Sequence, residues 1–329
     1  MTVFRAWFAR RGLWLLSAVL VALGVASLFT GVGDVGASGA PDYLGLSRFP
    51  RTAALVLSGS SLALCGMIMQ MLARNRFVEP STAGTVDAAA LGVVLVAILV
   101  PGLPVAARLG VAALSALAGT ALFMLVLRRI RMSDPLVVPL VGIMLGGIIG
   151  AVTSYLALQY DLLQALSALS SANFAGVLQG RYELLWLPGA LAVVAYIAAD
   201  RFTVAGLGDA VTTNLGLNYR RVTMLGLLVV SITVAVIVIH VGSLPFLGLI
   251  VPNIVAMALG DNVRRTAPWI AMIGAILVLC SDLIGRLVKY PYEVQAGLVM
   301  SVFGAAVFLV LLLRPRRARG RVRKEAARA

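Results

Sequence analysis

The chain has 329 residues, of which 61% are hydrophobic and only 12% charged, and its mean hydropathy is +1.01. A soluble domain carries about twice that share of charge, so the composition excludes a soluble globular protein and points to a polytopic, all-α membrane protein. The net charge of +14 does not describe a nucleic-acid binder: the basic residues lie in short clusters between apolar runs, which is a topology signal and leaves no partner role for nucleic acid.

In chain order, apolar runs predict spans at 13–32, 52–73, 87–105, 109–127, 136–158, 185–200, 222–241, 245–259, 268–288 and 296–313, about ten transmembrane helices. The first follows Arg5, Arg10 and Arg11 and is too long for a signal-peptide core, so it is read as a retained span. The second is preceded by RFPR, with Arg48 and Arg51 three residues apart and Pro50 expected to break regular helix before the span proper. It carries Ser58, Ser60, Ser61 and Gln70, which either line a passage or bond to their own helix backbone and aid packing.

The connection 72–92 mixes Asn75, Phe77, Glu79 and Pro80 with small residues, and Pro80 makes a regular helix through it improbable. It is either a polar turn or a broken segment at the mouth of a pathway. Asp87 falls at the start of the third span, which carries Pro101 and Pro104 near its end. The sixth and eighth spans are short, as tolerated where they line a cavity or are buried in protein.

The stretch RFTVAGLGDAVTTNLGLNYRR, 201–221, is too long for a turn and too polar for a span. It predicts short helices interrupted at glycine: an interfacial helix, or a seat for a cytoplasmic motor. Asp282 lies near the end of span nine, four residues before Arg286, and an i,i+4 ion pair accounts for it. Cys65 and Cys280 read as small buried apolar side chains, and His240 as structural. The lysines are Lys289 and Lys324, neither in a phosphate-loop pattern, so ATP, if it drives this protein, is bound by another chain. No cofactor or metal is expected. The tail 314–329 reads as a solvated, lipid-attracted end.

Most of the 27 basic residues fall on one side if the N-terminus is inside: the N-terminal arginines, Arg74 and Arg76, Arg128, Arg129 and Arg131, Arg201, Arg220 and Arg221, Arg264 and Arg265, and the tail. The positive-inside rule then gives cytoplasmic N- and C-termini. Arg48, Arg51, Arg286 and Lys289 are left exposed outside. Interfacial snorkelling accounts for them without a partner; an acidic external partner would use the same guanidinium groups in bidentate pairs.

Six segments, in order, resemble one family: the permease subunits of binding-protein-dependent ABC importers for ferric siderophores, haem and vitamin B12. They are RFPR; SLALCGMIMQ, 61–70; ARNRFVEPSTAGT; LGDAVTTNLGLNYRR; PFLGLIVPN, 245–253; and GLVMSVFGAAVFLVLLLR. The resemblance implies a type II ABC importer permease fold, with spans two to five and seven to ten as inverted repeats. The chain is then a single permease domain over 1–329 in the cytoplasmic (inner) membrane of a bacterium. It implies as partners a second permease copy, identical or related, two ABC ATPase subunits below and a periplasmic or lipid-anchored binding protein above.

Carried over by position, Arg48, Arg51 and Arg286 meet acidic residues of the binding protein, Asn75 and Phe77 narrow the cytoplasmic mouth, and Leu207, Gly208, Leu215 and Gly216, with Arg220 and Arg221, form the ATPase-coupling segment. The sequence departs from the family pattern at Arg76, Asp87, Asn253, Gln295 and GSLP, 242–245. NRFVEPSTAGT and PFLGLIVPN resemble the ferric-siderophore branch, including catecholate types, more than the haem or B12 branches. The expected function is translocation without bond chemistry. An intramembrane enzyme would need clustered catalytic groups at depth, and a secondary transporter ionisable groups at midplane.

Overall fold

The computed structural model describes residues 2–31, 44–129, 136–289 and 292–313. Arg131 and the tail 314–329 lie outside the described residues. Every regular element among them is helical. In order these are α1 (Thr2–Phe29), a π-helical turn Leu44–Arg48 that runs into α2 (Phe49–Leu72), α3 (Thr85–Leu99), α4 (Val105–Arg129), α5 (Val137–Gln159), α6 (Leu163–Ser170), a 3₁₀ turn Glu183–Leu185, α7 (Trp186–Ile197), α8 (Ala199–Ala205), α9 (Asp209–Asn214), α10 (Tyr219–His240), α11 (Leu247–Leu259), α12 (Val263–Val288) and α13 (Ala296–Leu313).

Each expected span has its helix. By length and composition six helical stretches can cross a membrane, and a seventh if α7 and α8, bent by 64° with the 3₁₀ turn before them, count as one. The shorter apolar helices α3, α11 and α13 occupy the remaining three places. Three differences from expectation involve prolines. Helix α3 stops at Leu99, so Pro101 and Pro104 belong to the connection to α4. Helix α12 begins at Val263, with Asn262 as N-cap accepting from the Arg265 amide, and Pro268 is carried inside it. Pro50 does not break regular structure: it sits in the first turn of α2, where a missing amide hydrogen costs nothing.

Helix α2 is the hub. It packs on α12, α11, α7 and α10, and with α10 it is the most enclosed of the long helices. Glycines let these helices approach backbone to backbone. A methyl group built at Gly59 would lie 2.7 Å from the carbonyl oxygen of Gly274 on α12, and one built at Gly66 would overlap the backbone of Gly248 on α11.

The pattern long, short, long, long occurs twice. Helices α2–α5 have 24, 15, 25 and 23 residues, and α10–α13 have 22, 13, 26 and 18. In both halves a non-helical break precedes the short helix, over 73–84 and 241–246, so the two halves repeat one helix order. The two breaks touch: the Glu79 carboxylate accepts from the Phe246 amide at 2.9 Å.

Candidate functional site

Three places carry the polar side chains singled out by sequence. The first is the end of the bundle where α1 finishes and α2 begins. Asp282, on α12, is 2% exposed and is held by two arginines. Arg286, one turn on, donates from Nε at 2.7 Å and forms an ion pair through Nη2. Arg51 donates from Nη2 at 2.7 Å and reaches Glu293 through Nη1 at 2.9 Å.

Arg286 also donates to the Ser27 and Thr30 carbonyls at 3.1 and 2.8 Å and to Ser27 Oγ at 2.9 Å. Arg48 donates to the Leu28 carbonyl at 3.2 Å. Cations thus meet the unsatisfied carbonyls at the C-terminal end of α1, the favourable end for positive charge. The i,i+4 pair expected from sequence is present. The expected exposure is not: Arg48 and Arg286 are 7% and 6% exposed, because α1 covers them, and Arg51 is turned inward onto Asp282.

The second place is the pair of breaks. Asn75 Oδ1 accepts from the Phe77 amide at 2.9 Å and closes a turn. Phe77 packs edge-on against Phe308 of α13, with centroids 6.2 Å apart, and Phe308 also meets Phe246. Asn253 of α11, a departure from the family pattern, donates to the Arg76 carbonyl at 2.6 Å. Glu79 is 2% exposed, accepts from Ser81 Oγ at 2.6 Å and sits over the N-terminus of α11, where backbone amides and the helix dipole favour a carboxylate.

Gln70 donates to the Gly248 and Leu249 carbonyls at 3.2 and 3.4 Å. Ser60 bonds to the Leu57 carbonyl of its own helix. Ser58, Ser61 and Gln70 are at most 5% exposed. In this chain α2 is sheathed by α11, α12 and α10, and the buried Ser58 and Ser61 hydroxyls have no hydrogen-bond partner there among the described residues. A polar cleft lies beside α3 and α5. It has a volume of about 230 Å³ and takes in Ser81, Asp87, Thr153, Ser154, Ser170 and Ser243.

The third place is the opposite end of the bundle. The segment 201–221 folds into α8 and α9, joined and ended at glycines as the sequence predicts. Gly208 and Gly216 have φ of +105° and +79°, a region that disfavours side chains. Thr212 Oγ1 donates back to the Gly208 carbonyl at 2.7 Å. Leu207 and Leu215 flank α9 and are 62% and 61% exposed. Arg220 and Arg221 are exposed in the first turn of α10. Arg264 and Asp200 bridge α12 to α8 at 2.5 Å, and Arg76 and Asp261 join the first break to the α11–α12 connection at 2.7 Å.

The sequence profile of the FecCD transport family matches residues 13–314. The chain belongs to the FecCD transport family. The petrobactin import system permease protein YclN of Bacillus subtilis (strain 168) is 42% identical over 306 residues, covering 91% of this chain and 97% of that one. The ferric-anguibactin transport system permease protein FatD of Vibrio anguillarum is 40% identical over 268 residues, covering 82% and 85%. A solved transporter described as of metal-chelate type, in an inward-facing conformation, has the same fold, with a TM-score of 0.77 at 23% identity over 93% of this chain and all of that one.

For a FecCD-family chain, sequence reasoning missed two acids. By sequence, Glu79 lies in a connection that is either a polar turn or a broken segment, with no partner assigned to its carboxylate. Asp87 stands in the sequence only at the start of the third span and as a departure from the family pattern. Asp282 has two arginines; Asp87 has no ion-pair partner among the described residues.

Proposed function

We propose that this chain is the membrane-spanning permease subunit of an ABC importer that carries a ferric siderophore across the cytoplasmic membrane. The observation that carries the reading is similarity along almost the whole chain to permeases named for petrobactin and anguibactin import, against 29% identity to a vitamin B12 permease of Citrobacter koseri. Separate ATPase subunits hydrolyse ATP, a second permease completes the pathway, and an extracytoplasmic binding protein delivers the chelate. The clustered arginines put both termini in the cytoplasm.

The coupling surface is 201–221. Two exposed leucines flanking a short helix, which is locked by Thr212 and bounded by glycine turns, make a firm apolar knob, which is what a rigid-body joint needs. Asn75 and Phe77 form part of the inner gate, where the tie to Phe308 lets movement of α13 shift the mouth. Binding-protein docking occurs at the Arg48–Arg51–Arg286 end. With Arg48 and Arg286 committed internally, the partner's acids compete with Asp282 and Glu293 for Arg51, and charge there governs orientation and on-rate.

One labelling experiment on the assembled transporter tests all three surfaces. Single cysteines replace Leu215, Phe77 and the exposed Phe49 beside Arg48. A membrane-impermeant thiol reagent should reach Leu215→Cys and Phe77→Cys only from the cytoplasmic side, with ATPase subunits shielding the first. Phe49→Cys should react only from outside and be shielded by the binding protein. Labelling of Leu215→Cys from outside, or unshielded by the ATPase, contradicts the assignment of 201–221.

A further inference from the structure

The cleft beside α3 and α5 contains Asp87, a carboxylate in the first turn of α3 that meets no cationic side chain among the described residues. Glu79 and Asp282 are each surrounded by donors that explain their burial. Asp87 is half-buried and forms no ion pair among the described residues. An ionisable group within a membrane helix is costly unless a partner meets it. Glycines let the carboxylate lie against α5: a methyl group built at Gly150 would stand 3.6 Å from Asp87 Oδ1, and one at Gly146 would be 2.6 Å from Oδ2.

The remaining polar lining is hydroxyl only: Ser81, Thr153, Ser154, Ser170 and Ser243. Ser81 comes from the first break and Ser243 from the second, and transport ligands bind where spanning helices are discontinuous. Ser154 and Ser170 are exposed at the rim.

We propose that this cleft is a subsite for a protonated amine borne by the transported chelate. This rests on the transport reading above. One carboxylate supplies one negative charge, and hydroxyl oxygens can accept the remaining N–H groups of an ammonium. A divalent metal ion does not suit the site, since hard cations take six or more oxygen ligands with several carboxylates among them, and no group of acidic or imidazole side chains with metal-binding geometry occurs among the described residues. The volume of about 230 Å³ exceeds the roughly 150 Å³ that holds a benzene ring, so an alkylammonium arm fits with its carbon chain. An anionic group would meet the Asp87 charge and be repelled.

Two measurements test this. In the assembled transporter, with Cys65 and Cys280 replaced by alanine, a Ser154→Cys side chain is labelled with a cationic and an anionic methanethiosulfonate reagent. The ratio of the two rates should fall about tenfold on adding Asp87→Asn, as expected for removing one charge at close range. In cells, uptake is compared for two synthetic ferric bis-catecholate chelates that differ only in whether the linker amine is free or acetylated.

Asp87→Asn should lower uptake of the free-amine chelate severalfold and leave the acetylated one unchanged. Ser154→Arg, which supplies a competing cation at the rim, should do the same. An unchanged labelling ratio, or equal loss for both chelates in both variants, overturns the proposal. If wild-type cells import neither chelate while the labelling ratio still falls, bis-catecholates are not the cargo class and the cationic preference of the cleft stands.

Discussion

Replacing Asp282 by alanine is expected to cost the folded protein about 3–5 kcal/mol, the range for removing one partner from a buried ion pair. The carboxylate is 2% exposed and Arg286 is 6% exposed, so its loss leaves a guanidinium buried without a counter-charge and Arg51 with only Glu293. The three-way junction of α1, α2 and α12 should loosen together, because Arg286 also ties the Ser27 and Thr30 carbonyls. Thermal unfolding in detergent should fall sharply for Asp282→Ala. The paired change Asp282→Leu with Arg286→Met should recover much of the loss, since a buried ion pair and a well-packed apolar pair are close in energy. A single variant as stable as wild type would mean that water or lipid head groups already solvate this site.

Gly66→Val is the second large effect. Even the first carbon of a side chain at Gly66 would overlap the Gly248 backbone, and neither partner is a flexible side-chain tip that can move aside. Helices α2 and α11 would have to separate, breaking the Gln70 bonds to the Gly248 and Leu249 carbonyls and drawing α11 off the Glu79 cap. Overpacking of a tight core costs about 1–3 kcal/mol and more when backbone must shift. Folded yield and thermal stability should both drop. Gly102→Val, at a position with open space around it, is the control expected to behave as wild type. Equal stability of the two variants would contradict the backbone contact between α2 and α11.

Much of this architecture was legible in the sequence because hydropathy and glycine act locally. Span positions follow from apolar length, the interruptions of 201–221 from glycine, and the end of regular helix before α3 from Pro80. The Asp282–Arg286 pair was legible for the same reason: one helical turn joins them. What was not legible depends on chain distance. Arg51 finds Asp282 231 positions away, and Glu79 finds Phe246 167 positions away. No local pattern encodes such meetings, so basic residues assigned to the surface by the charge rule proved to be neutralised inside. The burial of Ser58 and Ser61 was not legible on the same grounds: their helix is the hub, and the hub's surroundings come from the tertiary fold.

The central claim is import of a ferric siderophore, and uptake of radiolabelled iron tests it most directly. Cells with and without this gene are given ferric petrobactin, ferric anguibactin, a ferric hydroxamate and labelled vitamin B12. Uptake of at least one of the first two should be lost with the gene and return when the gene is restored, while vitamin B12 uptake stays the same. Unchanged uptake of every ferric chelate, or loss of vitamin B12 uptake alone, would contradict the account.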